Sequence, residues 1–385
     1  MEIDFADILM EVVSRRASDL HLSAGAKPTV RIRGRLTALD DYPILSGTDT
    51  REIVYSILTG DQRQRLETNW QLDFAYSIPG HARFRVNAYY QRGAIGAAFR
   101  LIPFGLTSID ELGLPAAVHD FTRRPRGFVL VTGPTGSGKS TSLAAMIDEI
   151  NRTREEHIMT IEDPIEFLHA HKKCLVNQRE LGSDAQSFGD ALKAALRQDP
   201  DVILVGEMRD FETIETGLLA AETGHLVFST LHTLDATETI NRIIAVFPPH
   251  QQKQVRIQLS SVLKGVISQR LMPNADGSSR VPAVEVMVST AFIRDCIMDK
   301  DKSYLIHGAI AAGTSQYGMQ TFDQSIFGLY SQGLVSYEES LRWATNVDEF
   351  KLKVQGISTT SDISRDQMSQ SVTGVRPPEI ARFGS

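Results

Sequence analysis

The chain has 385 residues, which is enough for roughly two or three domains that each bury a core. Its formal net charge is −7 at pH 7, so no overall positive field attracts nucleic acid or anionic lipid. The two cysteines, Cys174 and Cys296, form no C-x-x-C pair and indicate neither a disulfide framework nor a structural zinc site. The first residues are acidic, whereas a signal peptide begins with basic residues, and no apolar run approaches the ~18 residues of a membrane span. We therefore expect a protein of the reducing cytosol.

The first hundred residues predict a small α+β domain with a largely antiparallel sheet. Residues 3–16 place apolar side chains at helical spacing, and residues 18–39 predict three strands. Residues 83–101 predict two more strands, in which apolar side chains alternate with polar ones. Arg83 and Arg85 share the polar face. This face is either a solvated surface or a positive surface that faces a phosphate group elsewhere.

A glycine-rich segment at residues 133–141 follows the apolar run 128–131 and precedes a helical pattern. This is the order of a phosphate-binding loop, in which glycines let backbone N–H groups point at phosphate oxygens. Lys139 would reach the β- and γ-phosphates, and Ser140 would offer its hydroxyl to Mg²⁺. The segment predicts that the chain binds a nucleoside triphosphate. The residues expected to hold it are Thr135, Gly136, Ser137, Gly138, Lys139, Ser140 and Thr141.

Short apolar runs alternate with helical patterns in the middle of the chain. The runs are residues 128–131, 158–161, 202–205 and 226–228. This alternation predicts an α/β domain with a parallel sheet that helices cover on both faces. Ligands of such sheets lie beyond the carboxyl ends of the strands, so the polar residues after each run are expected to carry the chemistry.

Three of these strand ends carry an acid or a histidine: Glu162, Glu207 and His232. We assign Mg²⁺ binding and water positioning to Glu207, which closes the second phosphate-loop signature. Gly206 stands where that signature usually has Asp, so the division between metal holding and water activation stays open. Glu162 is the second candidate base, and His232 is placed to sense the γ-phosphate. His225 precedes its strand, about 20 Å from His232 at ~3.3 Å per residue, and is expected to be structural or to face a neighbouring subunit.

The rest of the chain predicts a helix, a strand pair and a helical C-terminal region. The helix follows Pro249, and its apolar stripe continues through Val266. Residues 267–272 and 280–288 predict two strands around an Asp-Gly turn, and the chain beyond them predicts helices. Residues 357–385 are rich in polar residues and predict a disordered tail.

Together these motifs resemble the secretion ATPases of the type II secretion and type IV pilus superfamily. Segments similar to the family's phosphate loop, aspartate box, Walker B region and histidine box occur in order at residues 133–141, 160–166, 199–210 and 223–233. The resemblance implies a PAS-like N-terminal domain, a linker, a RecA-like P-loop NTPase core and a helical C-terminal region. We place these at residues 1–103, 104–112, 113–288 and 289–356.

The resemblance also implies how such a protein works. Family members are cytoplasmic, Mg²⁺-dependent ATPases that form a homo-hexameric ring. N-terminal arginines of one subunit complete the ATP site of the next, which makes Arg83, Arg85 and Arg100 candidate catalytic residues in trans. The implied partner is a platform protein of the pilus machine, so we expect peripheral association with the inner membrane, without nucleic acid or zinc.

Within the superfamily the chain is most similar to the PilT family of pilus retraction motors, which drive twitching motility. Extension and secretion members usually carry a further N-terminal domain and often a four-cysteine zinc motif, and neither is expected here. Residues 292–299 match the retraction signature at Ile293, Arg294 and Ile297 only. A pilus-assembly or type II secretion motor is therefore the first alternative. A RecA-like nucleic-acid translocase and a nucleotide-gated binding switch are the other two.

Overall fold

The computed structural model describes residues 4–32, 34–78, 81–102 and 105–357. The chain divides into two units. The first comprises the chain up to Gly105 with Pro164–Leu168 and Glu180–Asp184, and the second comprises Leu106–Asp163, His169–Arg179 and the chain from Ala185 onward. Nearly all of the predicted tail lies outside the described residues. Within them, no helix is long and apolar enough to cross a membrane.

The first unit contains a six-stranded sheet and three helices. The helices are α1 (Phe5–Ser14), α2 (Gly47–Ser56) and α3 (Gly60–Asn69). The strands are β1 (Asp19–Leu22), β2 (Thr29–Ile32), β3 (Arg35–Ala38), β4 (Gln71–Ile78), β5 (Ala82–Gln91) and β6 (Ala94–Ile102). Their order is β3-β2-β1-β6-β5-β4 with antiparallel neighbours, which confirms the predicted sheet type and adds β4 to it. The alternation in β5 is also confirmed, because Phe84, Val86 and Ala88 are buried.

The second unit contains a seven-stranded mixed sheet. Its strands are β7 (Gly127–Thr132), β8 (His157–Glu162), β9 (Leu175–Glu180), β10 (Val202–Val205), β11 (Leu226–Leu231), β12 (Leu263–Pro273) and β13 (Arg280–Val288). The order is β13-β12-β7-β11-β10-β8-β9. The four predicted apolar runs form β7, β8, β10 and β11, and these strands pair in parallel as predicted. The strand β12 continues the parallel arrangement beside β7, whereas β13 is antiparallel to β12.

Helices connect these strands and then continue to the end of the described chain. The connecting helices are α4 (Ala117–Thr122), α5 (Lys139–Thr153), α6 (Phe188–Ala195), α7 (Phe211–Glu222), α8 (Ala236–Val246) and α9 (Gln252–Val262). After β13 come α10 (Ala291–Met298), a 3-10 turn (Lys300–Leu305), α11 (Ile306–Ala312), α12 (Thr314–Tyr317), α13 (Phe322–Ser331), α14 (Tyr337–Trp343) and α15 (Val347–Val354).

The prediction of a helix through Val266 was wrong. The helix α9 ends at Val262, and the next residues form the buried start of β12. Gly265 packs against the ring of Phe121 so closely that a Cβ there would lie 2.2 Å from the ring. An apolar run of this kind fits either a helix face or a buried strand, and here its residues pair with β7 as a buried strand.

Candidate active site

The glycine-rich segment forms the predicted loop between β7 and α5. Gly136 and Gly138 have φ angles of 80° and 93°, in the left-handed region that favours glycine. Gly133 has a φ angle of 142°, and a Cβ there would lie 2.4 Å from the carbonyl oxygen of Gln269. The loop therefore needs glycine at these positions, both for its turns and for its approach to β12.

Lys139 and Ser137 present buried polar atoms to the inside of this loop. Lys139 Nζ donates hydrogen bonds to the carbonyl oxygens of Gly133, at 2.8 Å, and Pro134, at 3.1 Å. Burial lowers the pKa of Lys139, and the charge of Glu207 opposes this effect. Ser137 Oγ is buried without a hydrogen-bond partner in the part of the chain that the structure describes. A phosphate group fits this loop, because its oxygens would pair with both the ammonium and the hydroxyl.

Glu207 lies two residues after β10, and its carboxylate faces the side chains of Arg209 and His232. Its Oε1 is 2.6 Å from Arg209 Nε and 3.3 Å from His232 Nε2. Burial acts to raise the pKa of Glu207, but the hydrogen bond from Arg209 and the charges of Arg209 and His232 lower it below its ordinary value. Glu207 is therefore ionised at neutral pH.

Glu162 is the last residue of β8 and is 9% exposed. Its Oε1 accepts hydrogen bonds from Thr160 Oγ1, at 2.7 Å, and from Gln178 Nε2, at 3.3 Å. The backbone of Gly206 passes close beside it, and a Cβ on Gly206 would lie 3.2 Å from Glu162 Cα. This crowding explains why glycine, rather than the usual Asp, precedes Glu207.

Sheet order brings the predicted strand-end residues to one edge. In the parallel strands Val205 pairs with Ile161 on one side and with Ser229 on the other. Glu162, Glu207 and His232 therefore lie together at the carboxyl ends, where the loop after β7 also begins. His225 lies at the opposite end of β11, as predicted, with its Nδ1 2.8 Å from the carbonyl oxygen of Ala220.

The three candidate arginines of the first unit differ in their partners. Arg83 Nη2 is 2.7 Å from Glu180 Oε2, and both side chains are largely buried. Arg100 Nε is 3.0 Å from Asp19 Oδ1, although the arginine side chain is 72% exposed. Arg85 lies opposite Arg100 in the β5–β6 pair and is exposed. Among the described residues, the side chain of Arg85 has no ion-pair or hydrogen-bond partner.

The donors available for Mg²⁺ are few but of the expected kind. No group of three or more His, Cys, Asp or Glu side chains is arranged to hold a metal ion within the described ranges. Phosphate-loop enzymes hold Mg²⁺ with one or two side chains, phosphate oxygens and water, so such a group is not needed. Ser140, exposed in the first turn of α5, and the carboxylate of Glu207 fit this donor set.

The sequence did not identify every polar partner at these strand ends. Arg209 follows Glu207 by two positions, and a cation so close to the predicted acid was a usable signal. Gln178 and Glu180 lie on β9, for which the sequence predicted no strand. Their bonds to Glu162 and Arg83 depend on sheet order, which no local pattern reveals.

A family model, curated protein sequences and solved structures all match this chain over most of its length. The family model described as type II/IV secretion system protein matches residues 81–326. The protein named "Type IV pilus retractation ATPase PilT" of Pseudomonas aeruginosa is 48% identical over 348 residues, which cover 90% of this chain and 100% of that protein. The "Type IV pilus ATPase PilU" of the same organism is 39% identical over 373 residues, 97% of this chain and 96% of that protein. The crystal structure of the pilus retraction motor PilT with bound ADP has a TM-score of 0.84 at 49% identity, covering 90% of this chain and 99% of that chain. The chain therefore belongs to the type II/IV secretion system protein family.

Proposed function

We propose that this chain is a Mg²⁺-dependent ATPase motor that powers type IV pilus retraction and twitching motility. The observation that carries the proposal is the convergence of Glu162, Glu207 and His232 beside a phosphate loop in which Ser137 Oγ has no partner among the described residues. The chain is an ATP hydrolase, in keeping with its family and with the ADP bound by the solved PilT motor. The retraction role is supported by 48% identity to PilT over 90% of the chain.

We assign roles in ATP hydrolysis to Lys139, Ser140, Glu207 and His232. The loop amides and Lys139 hold the β- and γ-phosphates, and for this Nζ exchanges two loop carbonyls for phosphate oxygens. Ser140 and Glu207 would hold Mg²⁺, which would supply positive charge against the phosphate groups. The ionised Glu207 orients the attacking water. His232, 3.3 Å from Glu207, detects whether a γ-phosphate is present.

Arg85 is the arginine that we assign to the neighbouring subunit's ATP site. Its guanidinium is exposed, whereas Glu180 neutralises Arg83 and Asp19 neutralises Arg100. In a homo-hexameric ring, the PAS-like domain of one subunit packs against the RecA-like domain of the next and brings Arg85 to the γ-phosphate. A cation that arrives there in trans accelerates phosphoryl transfer by ~10³–10⁵. Head-to-tail contacts generate a closed ring with rotational symmetry, in which every subunit gives its Arg85 to the next subunit and receives one from the subunit before it.

The proposed partner is the platform protein of the pilus machine. The motor works in the cytoplasm, at the cytoplasmic face of the inner membrane, and changes the relative positions of its domains as each ATP binds and is hydrolysed.

Imaging of labelled pili in a deletion strain tests this function. A retraction motor predicts cells with more surface pili that no longer shorten, and complementation with the wild-type gene but not with Glu207→Gln restores shortening. A strain that has lost all its pili would show an assembly or secretion motor instead. ATPase activity that rises with single-stranded DNA would show a nucleic-acid translocase. A Glu207→Gln variant that keeps function without turnover would show a binding switch.

A further inference from the structure

Glu285 is a buried acid outside the site described above. It lies on β13 and is 3% exposed. Its Oε1 accepts a hydrogen bond of 2.9 Å from the backbone N–H of Ala236, the first residue of α8. The first turn of a helix leaves such N–H groups without a partner inside the helix, and a negative charge is favoured there. Asp235 caps α8, and Glu285 adds a second side-chain acceptor that ties the first residue of the helix to β13.

The start of α8 in turn sets the position of the segment that carries His232. Residues 232–235 form the whole connection between β11 and α8. This connection is tied to the helix, because Asp235 accepts a hydrogen bond from the N–H of Glu238 at 2.7 Å, and the hydroxyls of Thr233 and Thr239 are 2.6 Å apart. A movement of the first turn of α8 would therefore move His232 relative to Glu207.

Glu285 is also linked to the strand that leads into the phosphate loop. In the pairing of β12 with β13, Glu285 lies opposite Ser268. Ser268 Oγ accepts a hydrogen bond of 2.9 Å from Thr132 Oγ1, in the last residue of β7. The strand that carries Glu285 is thus paired with the strand that is hydrogen-bonded to the end of β7, just before the phosphate loop.

The charges around Glu285 place its titration near neutral pH. Burial raises the pKa of Glu285 to about 7, and the charges of Asp235 and Asp323 act in the same direction. The hydrogen bond from Ala236 and the charge of Arg270 act to lower this pKa. Both protonation states are therefore populated at physiological pH. The ionised state adds a third negative charge to those of Asp235 and Glu238 at the N-terminus of α8.

We propose that Glu285 is a positioning residue for ATP hydrolysis, whose ionised carboxylate holds α8 so that His232 faces Glu207. Protonation of Glu285 weakens this hold, and the turnover of the enzyme falls. Binding of ATP depends on the loop around Lys139 and changes little. The inference rests on the proposed role of His232 at the γ-phosphate.

The test is the pH dependence of kcat and KM for ATP in the wild type and in Glu285→Gln, between about pH 5.5 and 9. The variant keeps the acceptor for the N–H of Ala236 but is neutral at every pH. We expect the wild-type kcat to rise with pH, with an inflection at about pH 7. The kcat of the variant should lack this inflection and should be at least ~3-fold lower than that of the wild type at alkaline pH. The KM for ATP should be the same in both proteins. The readout is the difference between the two pH profiles.

A second variant tests the same inference without altering Glu285. Arg270→Gln removes a positive charge that lowers the pKa of Glu285, so the inflection should move to higher pH. Identical profiles in the wild type and Glu285→Gln, or a kcat that is reduced equally at every pH, would overturn the role of Glu285 and leave the proposed function intact. A wild-type ring without ATP hydrolysis would instead overturn the proposed function itself.

Discussion

Replacement of Arg85 by alanine should abolish most ATP turnover without unfolding the chain. The side chain is exposed, so its removal should change the free energy of unfolding by no more than ~0.5 kcal/mol. An arginine that acts on a neighbour's γ-phosphate accounts for ~10³–10⁵ in kcat. At ~1.36 kcal/mol for each tenfold change, this equals about 4–7 kcal/mol of activation free energy. The effect on catalysis should thus exceed the effect on stability about tenfold.

Arg83, two residues earlier on the same strand, is the matched control. Its side chain is 16% exposed and that of Glu180 is 5% exposed. Arg83→Ala leaves the Glu180 carboxylate buried without its cation, which costs about 3–5 kcal/mol of stability. Chemical denaturation should therefore show a large loss for Arg83→Ala and almost none for Arg85→Ala.

Mixed rings distinguish a trans arginine from a residue that acts within its own subunit. Arg85→Ala subunits keep an intact phosphate loop, and Lys139→Ala subunits keep Arg85. Each variant alone should be inactive, but a mixture contains interfaces that join an intact loop to an intact arginine. Its ATPase rate should then recover to a clearly measurable fraction of the wild-type rate. A mixture that stays inactive, or an Arg85→Ala enzyme with wild-type kcat, would refute the assignment.

Three further predictions follow from the site and its surroundings. Lys139→Ala should lower the affinity for ATP at least ~100-fold in calorimetric titration, because the buried ammonium of the loop is lost. Glu207→Gln should bind ATP as the wild type does but lower single-turnover hydrolysis by ~10²–10³-fold, because the water loses its charged partner. Glu285→Gln should be more stable than the wild type above pH 7, by roughly 3 kcal/mol in denaturation experiments at several pH values. The pKa of Glu285 is raised from 4.5 to about 7 on folding, so stability from its bound proton is complete below pH 4.5 and is lost as the pH rises through 7.

Part of the candidate site could be predicted from the sequence, by local residue patterns and by one rule of sheet topology. The glycine spacing and the flanking apolar residues define β7, the phosphate loop and α5 without reference to the rest of the chain. The carboxyl ends of parallel strands lie at one edge of a sheet, and this rule is enough to bring Glu162, Glu207 and His232 together.

Long-range partners could not be predicted in the same way. Arg83 and Glu180 are 97 residues apart, and Glu285 lies 49 residues from Ala236. Which of these residues meet depends on which strands and helices become neighbours in the fold. No local pattern in the sequence reveals that. The same limit applies to the end of α9, because the residues that follow it pair with β7 in a sheet whose strand order no local pattern reveals.

The sequence leaves open how Glu162 and Glu207 divide metal binding and water activation. The side chains that contact Glu207 indicate its role. Arg209 and His232 lower the pKa of Glu207, and a carboxylate with a lowered pKa is a weak proton acceptor. Phosphoryl transfer passes through a loose transition state, in which the attacking water must be oriented but need not be deprotonated early. We therefore propose that Glu207 acts by orienting water and Mg²⁺, and that Arg209 and His232 hold its carboxylate in place. Glu162 Oε1, which accepts hydrogen bonds from Thr160 Oγ1 and Gln178 Nε2 at the end of β8, remains the second candidate base that the sequence predicts.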